Sequence, residues 1–129
     1  MKARLFTLLI LISGIVVGVC MWLSSYPEVV RMFTLTFYVT ILLTLTFSIT
    51  TKLELIKIIF ATMIGSMLAI IIAIMIDGFF DPTSHNLLPF EIAIDVYWLL
   101  IACLIGVLGG ALFRWIKKRK QLRDHRYND

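Results

Sequence analysis

Four continuously apolar stretches, separated by shorter polar segments, dominate the pattern along this chain. They cover residues 5–25, 32–51, 58–76 and 96–116, which is 21, 20, 19 and 21 residues. A helix needs about 20 apolar residues to cross the hydrocarbon core of a bilayer. Lipid offers no hydrogen-bond partner for free backbone groups, and these runs lack the alternation of a β-barrel strand. The pattern therefore predicts an all-α integral membrane protein with four transmembrane helices.

The composition agrees with this interpretation. Of the 129 residues, 60% are hydrophobic and 16% are charged, whereas an ordinary soluble domain has about 25% charged residues. Such a chain has too little polar surface to solvate a soluble globular fold or a disordered chain. Its length allows one domain, so we expect a single four-helix transmembrane domain over residues 1–129.

The connections between the stretches predict the topology. Residues 26–31 and 52–57 form short links, which make consecutive helices antiparallel neighbours in a bundle. The third connection, residues 77–95, is the one substantial loop and has 19 residues. Pro89 and Glu91 form a helix-start pattern within it. We therefore expect helix four to begin near Pro89 and to continue to about Lys120, well beyond the bilayer core.

Basic residues fall almost entirely on one side of this predicted bundle. If the N-terminus is cytoplasmic, eleven of the twelve Lys and Arg residues lie inside and Arg31 alone lies outside. Cytoplasmic segments of membrane proteins carry this excess of positive charge. The sequence therefore predicts a multi-pass protein of the plasma (bacterial inner) membrane, with both termini cytoplasmic and the 19-residue loop outside.

The cytoplasmic tail, residues 117–129, is strongly basic at its start. Its four consecutive cations are candidates for contact with anionic lipid headgroups, and they are Lys117, Lys118, Arg119 and Lys120. The alternative is a positive-inside anchor with no further role. Nucleic-acid binding is not expected.

Small or hydroxyl residues recur every four positions on all four predicted helices. The candidate packing residues are Gly14, Gly18, Ala61, Gly65, Ala69, Ala73, Ala102, Gly106 and Gly110. Residues four apart share a helix face, and small residues let backbones approach closely in lipid. We expect these faces to serve mainly packing within the monomer. The alternative is that one of them drives homo-oligomerisation.

The second helix carries a stripe of hydroxyl residues instead. The hydroxyl stripe consists of Thr36, Thr40, Thr44 and Ser48. One hypothesis is that it lines a polar path for a small solute. The alternative is that each hydroxyl bonds back to a carbonyl of its own helix and packs as a small residue. Apart from Arg114, no Asp, Glu, Lys, Arg or His lies inside a predicted span, which argues against ion-coupled transport.

The loop contains several potential metal ligands. Weak candidates are Asp77, Asp81, His85, Glu91 and Asp95. Carboxylates suit Ca²⁺ or Mg²⁺ and a histidine admits Zn²⁺, but the spacing matches no known metal loop. We therefore expect a solvated acidic loop with no metal and no cofactor.

The two cysteines, Cys20 and Cys103, form no C-x-x-C pair and are expected to be apolar filler. Cleavage of the first stretch at Cys20, as in a lipoprotein, is disfavoured by the bulky Val19 before it. No nucleophile elbow or phosphate-binding loop is present in the sequence. We therefore do not expect an enzyme.

The leading functional hypothesis is a small non-enzymatic membrane protein that acts through protein partners, as an accessory, regulatory or immunity-type subunit. Residues 79–90 and 117–126 are the most plausible contact segments. The alternative is an oligomeric protein for permeation or export of a small solute, which would use the hydroxyl stripe. Both hypotheses imply contact with the lipid bilayer and either a membrane-protein partner or a second copy of the chain.

Overall fold

The computed structural model describes residues 2–24, 29–51, 53–80 and 88–128, and all of its regular structure is helical. Helix α1 spans Lys2–Ser24, α2 spans Val29–Thr50, α3 spans Leu55–Phe80 and α4 spans Leu88–Asn128. This confirms the predicted all-α architecture with four helices.

Three of the helices are long and apolar enough to cross a membrane. The segments are Ala3–Leu23, Leu55–Phe80 and Ile92–Arg123. Helix α2 has a shorter apolar segment among the described residues, Leu35–Thr50. Helices α1, α3 and α4 therefore have the length and composition that a membrane span requires.

Helices α3 and α4 extend beyond the predicted spans. Helix α3 has 26 residues and continues through Asp77 and Gly78 to Phe80. One glycine costs a helix only about 1 kcal/mol, which is too little to end it. Helix α4 has 41 residues, or about 60 Å. It begins beside Pro89, as the helix-start pattern predicts, and runs on to Asn128 rather than ending near Lys120.

The closest packing joins helices that are two apart in the sequence. Helix α1 lies along α3, and α2 lies along α4, while consecutive helices make smaller contacts. Within the described residues the backbones of α1 and α4 do not approach each other closely. The short links predict consecutive helices as neighbours, and these do touch. The larger interfaces form between α1 and α3 and between α2 and α4, because the faces with small or hydroxyl residues lie against each other in these two pairs.

Contacts within each large interface advance in the same direction along both helices. In the α1–α3 interface, Gly14 lies against Gly65, and Gly18 lies one turn further on against Ala69. In the α2–α4 interface, Thr44 lies against Gly106 and Ser48 against Gly110. The members of each pair therefore run parallel.

The interior of the bundle is unusually rich in hydroxyl groups. Six buried polar side chains are Ser13, Thr40, Thr44, Ser48, Thr62 and Ser66. Large apolar side chains instead cover the outside of all four helices. A soluble monomer rarely exposes an apolar patch of more than a few hundred Å². This distribution is the one expected for a chain surrounded by lipid.

Two apolar clusters complete the interior. The first gathers Leu9, Phe47, Leu53, Ile58, Ala61 and Val107 from all four helices and the α2–α3 link. The second gathers Val17, Met21, Ala69, Ile70 and Leu99 from α1, α3 and α4. The clusters lie at successive levels along the bundle, so the buried hydroxyl groups are enclosed by apolar packing.

Substitution of Gly65 by alanine should destabilise the bundle by about 1–3 kcal/mol, the usual cost of overpacking. The added Cβ would meet the Ser13 hydroxyl and the backbone carbonyl of Ile10, and would lie 3.0 Å from the Gly14 nitrogen. Backbone atoms cannot rotate away as a side chain can. Unfolding of the purified protein in mixed micelles, followed by circular dichroism, measures the effect.

Two other glycines provide matched controls. A Cβ on Gly18 would make an ordinary 3.8 Å contact with the Ala69 Cβ, and one on Gly78 would meet nothing within 4 Å among the described residues. Gly18→Ala and Gly78→Ala should therefore leave stability unchanged or slightly raised. Equal losses in all three variants would contradict the packing described for Gly65.

Candidate functional site

The absence of a side chain at Gly65 of α3 leaves a notch in the helix surface, and Ser13 of α1 fills this glycine notch. The buried Ser13 hydroxyl lies in the space above Gly65, where any side chain would collide with it. It donates to the Ile10 carbonyl of its own helix at 3.0 Å and lies 3.4 Å from the Ala61 carbonyl of α3. A hydrogen bond between helices in lipid contributes about 0.6 kcal/mol. Close approach and a weak polar contact therefore act together in this interface.

The α2–α4 interface repeats this arrangement twice. Thr44 lies in the notch at Gly106, where a Cβ would also come within 2.7 Å of the Ile41 carbonyl. One turn further along, Ser48 occupies the notch at Gly110. Ala102, which is buried and lies four residues before Gly106, continues the same face of α4. The candidate packing residues of α4 thus lie against the hydroxyl stripe of α2.

The remaining candidate packing residues belong to the α1–α3 side. Gly14 approaches Gly65, and a Cβ there would lie 3.1 Å from the Gly65 carbonyl oxygen. Ala61 and Ala69 are buried. Ala73 is half-buried and packs against the second apolar cluster.

Two of the four hydroxyl groups in the hydroxyl stripe donate to carbonyls of their own helix. Thr40 Oγ1 donates to the Thr36 carbonyl at 2.7 Å, and Thr44 Oγ1 donates to the Thr40 carbonyl at 2.8 Å. Thr40, Thr44 and Ser48 are fully buried, and Thr36 is half-buried. Passage of a solute along these residues would require α2 to separate from α4.

Two buried hydroxyl groups differ from the others. Ser48 Oγ and Ser66 Oγ have no hydrogen-bond partner among the described residues. An unsatisfied buried polar group typically costs about 1–3 kcal/mol. Close packing of the small side chain against its neighbours is therefore the stabilising contribution that the structure shows for Ser48.

Arg114 links α4 to the end of α2, a contact that sequence reasoning missed. Its guanidinium donates to the carbonyl oxygen of Thr51, just after the last residue of α2. Carbonyl groups at a helix C-terminus lack an intrahelical partner and carry partial negative charge. A signal was present in the sequence, because Arg114 continues the four-residue spacing of Ala102, Gly106 and Gly110.

The basic residues after Arg114 remain helical and exposed. Lys117, Lys118, Arg119 and Lys120 follow one another in α4, so successive side chains point about 100° apart around the axis. Together they form a collar of positive charge within about 5 Å of helix length. The Arg119 guanidinium lies over the Trp115 ring, 3.8 Å from its centroid. Because the cations point in all directions around the helix axis, they could contact anionic lipid headgroups on any side of α4.

Aromatic side chains gather toward the opposite end of the bundle. Phe37 of α2 meets Trp98 of α4 edge to face, with ring centroids 5.6 Å apart. Phe79 and Phe80 at the end of α3 form another edge-to-face pair at 5.7 Å. Both are more than four-fifths exposed. This end therefore presents aromatic surface, which is typical of a membrane interface.

The candidate metal ligands are only partly covered by the structure. Asp81 and His85 lie outside the described residues, and the side chain of Glu91 does too. Asp77 is exposed at the end of α3, and Asp95 is half-buried in α4. Among the described side chains, no group of three or more His, Cys, Asp or Glu is placed to hold a metal ion.

Cys20 lies on α1 and Cys103 lies on α4, and the two form no disulfide. Cys103 is fully buried.

Comparison with known proteins finds no matching family model, no matching curated protein and no matching solved structure.

Substitution of Ser48 by alanine should keep or raise stability, by about 1 kcal/mol, because it removes a buried hydroxyl that has no partner. Ser13→Ala should instead lower stability by about 0.6 kcal/mol, because its hydroxyl bridges to α3. Unfolding curves of both variants in the same micelles make the comparison. A clear loss of stability in Ser48→Ala would show that this hydroxyl has a stabilising partner.

Proposed function

We propose that this chain is a four-span protein of the plasma (bacterial inner) membrane, with helices crossing in alternating directions and both termini cytoplasmic. Two features support the proposal. The parallel courses of α1 with α3 and of α2 with α4 fit alternating directions. All basic residues except Arg31 then lie on the cytoplasmic side, as the positive-inside rule requires.

We further propose that the protein is non-enzymatic and acts through contact with a membrane-protein partner, as an accessory, regulatory or immunity-type subunit. The observation that carries this proposal is the filled interior of the bundle. Ser13, Thr44 and Ser48 occupy the glycine notches, and the buried threonines Thr44 and Thr62 bond to their own helices. The surfaces left for contact with a partner are then the outer faces and the ends of the helices.

The end of α3 is the surface best suited to such a contact. Phe79 and Phe80 are 83% and 81% exposed, the highest values for large apolar side chains in the described part of the chain. They border an open apolar recess of about 380 Å³, which Ile72, Met75 and Ile76 also line. Exposed aromatic residues beside a recess are typical of the residues that dominate binding energy in protein interfaces.

The topology can be tested by labelling single cysteines in a Cys20→Ala, Cys103→Ala background. A membrane-impermeant maleimide should label Ser84→Cys in intact spheroplasts and should label Gln121→Cys only after permeabilisation. The reason is the excess of Lys and Arg on the Gln121 side. Labelling of both positions in intact spheroplasts, or the reverse pattern, would contradict the proposed topology.

The partner contact can be tested with a photo-crosslinking amino acid at position 80. We expect one discrete protein adduct, reduced severalfold by Phe79→Ala, because the two rings form one exposed surface. Position 108 is the matched control, since Leu108 is also highly exposed but lies in the middle of α4. Mass spectrometry of the adduct identifies its composition.

Three results distinguish the hypotheses. A foreign membrane protein captured at position 80 and not at position 108 supports the accessory function. An adduct of twice the monomer mass favours the oligomeric permeation hypothesis, and solute-flux assays would then follow. Equal capture at both positions, or no protein adduct, would refute a specific contact at the end of α3.

A further inference from the structure

An apolar cleft opens at the end of the bundle where α1 and α3 begin. It has a volume of about 510 Å³ and is lined by Ala3, Phe6, Leu53, Lys57, Phe60 and Ile64. The first two belong to α1 and the last three to α3, so the cleft follows the outer side of the α1–α3 interface.

The lining of this cleft is charged at one end and apolar along the rest of its length. Lys57 lies in the first turn of α3, at the mouth, and is about half exposed. Phe60 and Ile64 follow it at three and seven residues, so they lie on one face and extend about 10 Å deeper along the helix. Phe6 forms an opposing apolar wall. A cation at the mouth and hydrocarbon below it match an amphiphile that carries negative charge at one end.

We propose that this cleft binds an anionic phospholipid, with one acyl chain along Phe6, Phe60 and Ile64 and the headgroup phosphate at the Lys57 ammonium. The site is separate from the basic collar, which lies on α4. It does not depend on the proposed protein partner, nor on which side of the membrane this end faces.

Glu54 is the group that competes with the phosphate. Its carboxylate lies 3.2 Å from the Lys57 Nζ, and both side chains are substantially exposed. An exposed ion pair of this kind is weak and readily exchanged. Arg4, which is exposed and follows Ala3 on α1, adds positive charge near the mouth. When the Lys57 ammonium leaves the Glu54 carboxylate, the positive charge at the mouth therefore favours binding of the lipid phosphate.

The test is lipid retention by the purified full-length chain, counted by native mass spectrometry. A collar-neutral protein, in which Lys117, Lys118, Arg119 and Lys120 are changed to glutamine, is incubated with phosphatidylglycerol or phosphatidylcholine bearing identical acyl chains. We expect about fivefold greater retention of phosphatidylglycerol, the preference that one well-placed cation supplies. In this background Lys57→Gln should abolish the preference, and Glu54→Gln should increase it. Arg123→Gln removes the same charge from α4 beyond the collar and should preserve it.

The acyl-chain part of the proposal has its own variants. Ile64→Trp fills the cleft and should reduce retention of both lipids, whereas Leu68→Trp, one turn further along α3 and outside the cleft lining, should not. Glycerol phosphate without acyl chains should not bind.

Several outcomes would overturn the assignment. They are equal retention of the two lipids by the collar-neutral protein, equal losses in Lys57→Gln and Arg123→Gln, and unchanged retention in Ile64→Trp. Binding of glycerol phosphate at comparable strength would reassign the mouth as a simple anion site. Unaltered circular dichroism and monodisperse elution confirm that each variant is folded. Glu54→Gln is expected to increase lipid binding, so its result cannot be explained by loss of the fold.

Discussion

Two helices in lipid gain little from burying a leucine between them, because the lipid tails are as apolar as the side chain. What remains is close packing of backbones and weak hydrogen bonds between helices. In this chain a hydroxyl side chain that occupies a glycine notch provides the close packing, as Ser13 does at Gly65 and Thr44 does at Gly106. Ser13 also makes the weak polar contact between helices, 3.4 Å from the Ala61 carbonyl. The notches fix the register of each helix pair, so the α1–α3 pair depends on Gly65 and the α2–α4 pair depends on Gly106 and Gly110.

This constraint also explains why hydroxyl groups lie between the helices and why most of the large apolar side chains lie on the surface. A hydroxyl that bonds to its own helix, as Thr62 bonds to the Ile58 carbonyl at 2.9 Å, is small and needs no partner across the interface. Some large apolar side chains form the two interior clusters, and the others lie on the outside, where lipid can surround them. Within the described residues, the helix interfaces are therefore filled by side chains of the protein itself.

The sequence predicted the helices and the faces that carry small residues, but not which helices pair. An apolar run of about 20 residues predicts a membrane-spanning helix. Small-residue faces occur on all four helices, however, and any two of them could pack together. Gly65 carries no sign that Ser13 is its neighbour, 52 positions earlier. The link from Arg114 to Thr51 was missed for the same reason, since it joins residues 63 positions apart. The Lys57 cleft was missed because its walls come from two helices.

The Arg114 contact has a mechanical consequence for the basic end of α4. Helix α4 runs unbroken from Leu88 to Asn128, so the collar of four cations is rigidly joined to the packed part of the bundle. Arg114 lies one turn before that collar and holds the carbonyl of Thr51 at the end of α2. Because α2 is also held to α4 at the Gly106 and Gly110 notches, three successive contacts join these two helices along their length. Their contacts with α1 and α3 are smaller, so the α2–α4 pair is the more closely joined unit at the basic end of the bundle.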